Sequence, residues 1–169
     1  MLSPHLVRQV ELRADKLASD LAERLQHDPH TPSYQRLDRH TLSRHLLAVY
    51  QNLGSWLAGR TEAEVDAYFG PIGAERFHEQ IPVAEMVYAV ILAKRELRGH
   101  TQQVSSLASA VEIHAEMEID AMVGKFFDRV LHAMVRGHDA ARERHAKGAE
   151  RSPGPELGEL KPTHMGWVP

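Results

Sequence analysis

Cysteine is absent from the 169 residues. That excludes disulfides, thiolate nucleophiles and thiolate metal sites, and it is compatible with a reducing compartment. Long hydrophobic runs are missing too. The longest, Met86 to Ala93, is about eight residues, whereas a membrane span needs roughly 20. The opening stretch MLSPHLVRQVELRADKL carries charge every few residues, which fits neither a secretory signal nor a span. Nor does one charge dominate: the formal net charge is −3 with acidic and basic residues interleaved, so no basic face for nucleic acid is expected. Nucleophile elbows, phosphate-binding glycine loops and dinucleotide fingerprints are also missing. The expectation is a cytoplasmic protein without catalytic residues, nucleic-acid partner or membrane.

What is present reads as helix. Hydrophobic residues at 43% and charged residues at 25% are enough for one domain with a core of its own. Leu6, Val10, Ala14, Leu17, Leu21 and Leu25 recur at three- and four-residue steps and predict one first helix. The segment HDPHTPSYQR that follows reads as a loop. Leu42, Leu46, Val49, Tyr50, Leu53, Trp56 and Leu57 make the face of a second helix, with Thr41 as N-cap and Gly59 as its end. TEAE at 61–64 is a capping box opening a third helix, which carries Val65, Tyr68 and Phe69 inward. GPIG at 70–73 should break or kink that helix before a short piece through Phe77. A helix from Pro82 to about Gly99 is apolar nearly all round at Met86–Ala93, which predicts the most buried element. A long last helix is expected from about Ser106 to about Lys147. The prediction is an all-α bundle of five to six helices over residues 1–148, with a flexible tail at 149–169 that carries Trp167.

Twelve histidines are the one compositional oddity, and they are scattered without ligand spacing, so no metal site is expected. A single Glu-x-x-His, Glu75 to His78, lacks the second copy that a di-iron bundle requires. Glu112, Glu116 and Asp120 share a helix face and read as a solvated acidic stripe. No cofactor is predicted; the alternative is haem in a globin-like pocket, for which His78, His100 and His114 are the candidate ligands.

GKFFDRVLHAMVRGHD, residues 124–139, sets Phe126 and Phe127 about 100° apart on a helix, too far for one narrow apolar stripe. Asp128 and Arg129 within it point apart and read as salt links to other helices. With GAERFHEQIPVAEMVYAVILAKREL (73–97), this stretch resembles the Gly-x-x-Arg…Ile-Pro-x-x-Glu and Phe-Phe-Asp-Arg motifs of the RsbRD-type N-terminal domain family, named after co-antagonists of the RsbT kinase. The matching positions are Gly73, Arg76, Ile81, Pro82 and Glu85, then Phe126, Phe127, Asp128, Arg129 and Gly137. Gln80 stands where the family commonly has glycine, and His132 and His138 where it prefers tyrosine.

The resemblance implies a bacterial stress-response sensory module: globin-like, non-catalytic, without haem in its best-known relatives, and usually a homodimer. Its final helix would lead to an effector or a separate signalling partner, in response to a small molecule or a protein. On that footing Phe126, Phe127, Val130 and Met134 are expected at a dimer interface, one side of their helix meeting its own domain and the other a second copy. Arg76 and Glu85 either meet each other or stand as separate surface charges.

Overall fold

The computed structural model describes residues 4–104 and 110–151. Among these the backbone is helical and strand-free: α1 (Pro4–Leu12), α2 (Ala14–His27), a 3-10 turn (Pro32–Arg36), α3 (Arg39–Gln51), α4 (Leu53–Ala58), α5 (Glu62–His78), α6 (Val83–Val104) and α7 (Ala110–Arg151). The predicted all-α bundle with a long last helix is what is found, with more helices than the five or six expected. Two of the expected helices each break in two. The first breaks at Arg13 (φ −108°, ψ 12°), whose N–H bonds back to the Val10 carbonyl. The second breaks at Asn52 (φ −120°, ψ 24°). Apolar spacing runs on unchanged across both breaks, which is why periodicity alone joined the pieces.

Helix ends follow local chemistry. Thr61 and Glu64 form the full capping box at the start of α5. At α3 the cap is Asp38 rather than Thr41: the Asp38 carboxylate accepts from the Thr41 N–H and hydroxyl, both at 2.8 Å. Gly59 does end α4. The helix containing GPIG does not break; α5 continues through Pro71. Proline removes one backbone bond, and the offset is packing, since the most extensive helix–helix contact of the bundle joins α5 to α7.

That contact is close because it is built on glycine. A Cβ on Gly73 would lie 2.0 Å from the Met134 carbonyl oxygen, and one on Gly137 would lie 1.9 Å from that of Gly70. The α6 segment Met86–Ala93 is less uniformly buried than expected. Met86, Ala89, Val90, Leu92 and Ala93 face the core, while Ile91 is exposed. Of the expected tail at 149–169, residues 149–151 belong to α7, and those from 152 onward, Trp167 included, lie outside the described residues. No helix among the described residues is long and apolar enough to cross a membrane.

Candidate functional site: a cavity with one buried arginine

Six elements converge on a cavity of about 90 Å³. Leu25 comes from α2, Tyr34 from the 3-10 turn, and Leu42, His45, Leu46, Val49 and Tyr50 from α3. Phe69, Ile72 and Arg76 come from α5, Ala89, Val90 and Ala93 from α6, and Phe126, Phe127, Val130 and Met134 from α7. The lining is almost wholly apolar, and its one formal charge is the Arg76 guanidinium, only 3% exposed.

An unpaired buried cation would be costly, and Arg76 is paired. It donates through Nη1 to the Glu79 carboxylate, one turn on along the chain. Its Nη2 lies 3.4 Å from His45 Nδ1. A neutral imidazole is what such a donor requires at that nitrogen. Burial, and then the Arg76 charge, hold the His45 pKa below the usual imidazole value. On the other side stands the Tyr34 hydroxyl, its pKa pushed up to about 12 by burial, with Arg76 pulling the other way.

The motif residues build this arrangement. Arg76 and Glu85 do not meet. Glu85 instead accepts from the Ser33 N–H (2.8 Å) and hydroxyl (2.9 Å), which pins the turn that carries Tyr34. Ile81 is buried; its N–H bonds the Arg76 carbonyl and its own carbonyl accepts from His138 Nε2 at 3.1 Å. Pro82 leads directly into α6. Gln80 sits at φ 59°, in the left-handed region that favours glycine. Asp128 and Arg129 make the expected interhelical links, to Lys94 (3.0 Å) and Glu62 (3.5 Å), and both are exposed.

Phe126, Phe127, Val130 and Met134 are all buried within the single chain. Phe126 stacks at a tilt on Trp56 of α4 (5.8 Å) and meets Phe69 of α5 edge-on (5.9 Å). The two-sided burial read from the sequence is thus supplied by the chain's own helices, and a second copy would reach these residues only if the bundle opened. The histidines considered for haem are dispersed, and none lines the cavity. His78 is exposed on a neighbouring groove, His100 faces a cleft between α2 and α6, and His114 is exposed on α7. Asp120, the member of the acidic stripe whose side chain is described, accepts from Nε and Nη2 along one edge of the Arg98 guanidinium rather than standing free in water.

Two site residues escaped sequence reading. Tyr34 sits in a stretch read as loop, where nothing periodic marks it as buried. His45 had a signal: it lies three residues after Leu42 and four before Val49, on the same helix face. His45 and Ile72 also line the open groove along α5 and α7, so these two side chains stand between the cavity and solvent.

The described residues thus form an all-helical bundle whose helices close around a small apolar cavity with one buried cation. Residues 15–152 match the RsbT co-antagonist protein rsbRD N-terminal domain, and the chain belongs to that family of stress-response signalling domains. No curated protein and no solved structure matches it.

Proposed function

We propose that the domain is a non-enzymatic sensor that admits a small, mainly apolar molecule to the Arg76 cavity and reports its presence through α7. One observation carries the reading: four of the cavity's side chains, Phe126, Phe127, Val130 and Met134, belong to a helix that continues to Arg151. Past Met134 that helix runs on for about 25 Å at 1.5 Å per residue, still packed at Gly137, His138 and Ala141 and exposed from Arg142. Whatever fills the cavity pushes on the middle of this helix, upstream of its exposed end. Residues 142–149 of the helix are exposed and include Arg142, Arg144 and Lys147 on a surface suited to a signalling partner.

Xenon, which enters dry apolar cavities, is the neutral probe. Under xenon pressure, amide resonances of the ¹⁵N-labelled chain should shift both around the cavity and along residues 136–145. Shifts confined to the cavity would remove the role given to α7. No shift at all would remove the cavity as a binding site.

A further inference from the structure

The cavity is apolar, yet its one charged wall group is a cation whose counter-ion can leave. We propose that the ligand is a short-chain carboxylate, its head group taking the Arg76 guanidinium from Glu79 and its few carbons lying among the apolar side chains of α3, α6 and α7. This rests on the cavity reading above and names the ligand's chemistry.

Three features point to it. First, Arg76 is nine-tenths buried and more, whereas the Glu79 side chain paired with it is 28% exposed. Glu79 also lines the open groove, where it can be hydrated once released. Exchange of one carboxylate for another keeps the charge of the guanidinium balanced, so no uncompensated charge is created in the interior. Second, a guanidinium presents a planar fork of donors matched to a carboxylate. The other polar groups beside it, the Tyr34 hydroxyl and the neutral His45 ring, add no competing negative charge. Third, the cavity's size limits the chain. About 90 Å³ is the liquid volume of roughly three waters, room for about three carbons behind a head group that replaces the Glu79 carboxylate, and it excludes a long acyl tail without rearrangement.

The test compares butanoate with butanamide, nearly the same in shape and differing in charge, by NMR titration of the full chain with the Arg76 Nε–H resonance observed. In the wild type butanoate should bind tighter than the amide by less than a full charge-assisted hydrogen bond, because the Glu79 bond is given up in exchange. Glu79→Gln, which removes the competing carboxylate at a partly exposed position, should tighten butanoate and raise its preference over the amide to about ten-fold or more, the ratio expected for one charge-assisted hydrogen bond, and Arg76→Met should abolish the preference for the acid. Equal binding of acid and amide in Glu79→Gln, or weaker butanoate binding there than in the wild type, would overturn the carboxylate assignment. If xenon enters while butanoate does not, the anion proposal alone falls; if neither enters, the sensor reading falls with it.

Discussion

Replacing Gly73 with alanine should unfold this domain more readily, although alanine is the better helix former. Taken alone, glycine to alanine inside a helix gains about 0.8–1 kcal/mol. At Gly73 the new methyl would sit 2.0 Å from the Met134 carbonyl oxygen, 2.7 Å from its carbon and 2.8 Å from its Cα. These are backbone atoms of a packed helix and cannot rotate aside. Restoring ordinary contact means moving α5 and α7 apart by roughly 1.4 Å, and even a 0.5–1 Å gap forfeits a quarter to a half of each contact's attraction. A buried side chain makes about 50 contacts of about 0.15 kcal/mol each, so one such residue's share of the interface loses roughly 2–4 kcal/mol. Less the propensity gain, Gly73→Ala should cost about 1–3 kcal/mol, or roughly 2–12 °C in melting temperature for a domain of this size. The control lies on α7: a Cβ at Gly124 meets nothing within 4 Å, so Gly124→Ala should stabilise by about 0.8–1 kcal/mol. Urea and thermal unfolding followed by far-UV circular dichroism read both signs. If Gly73→Ala proves as stable as Gly124→Ala, the helices do not cross at Gly73 and the cavity they enclose is drawn wrongly.

Gln80→Gly should stabilise by about 0.5–1 kcal/mol, because relief of a left-handed backbone worth about 1–2 kcal/mol outweighs the added freedom of glycine in the unfolded chain; an unchanged or lower urea midpoint would refute the strained geometry. His45 should make stability fall as pH drops from about 7.5 to 5.5. Its folded pKa lies below the unfolded value near 6.5, so within that window the unfolded chain binds more protons and gains relative to the fold. Burial comes first among the causes, and Arg76 and Arg44 reinforce it against Glu75 and Glu79. His45→Asn should flatten the slope without abolishing it, because His100 is shifted the same way by burial and by Arg13. An equal slope in the variant would show that His45 is not held neutral.

Helices were legible wherever one face stayed apolar, and the capping box and the Gly59 stop were legible from single residues. The breaks at Arg13 and Asn52 were not, since hydrophobic spacing reports which side of a helix is buried and is silent on whether the axis bends. At Pro71 the expected break is absent. A proline penalty is local, whereas the α5–α7 contact that outweighs it is set by residues some sixty positions later. The Phe126/Phe127 helix shows the same limit: its wide apolar face correctly announced burial on two sides, but not whether the second side belonged to another helix or another chain. Tyr34 was hidden because its burial depends on Glu85 holding Ser33, a contact across 52 positions.

The spacing of Gly73, Arg76 and Glu85 therefore has a common physical purpose within this chain. Three residues along α5 place Gly73 and Arg76 about 60° apart around the axis, one against the α7 backbone and the other into the cavity. A larger residue at 73 would lever α5 outward and draw Arg76 with it. Glu85 acts from the start of α6, fixing the turn that sets Tyr34 beside the guanidinium. Stability alone does not explain the arginine, because an apolar side chain of similar length in an apolar wall would commonly serve the fold as well or better. A buried cation whose partner is solvent-accessible makes physical sense as a group held ready for a different anion, which is the exchange proposed for Glu79.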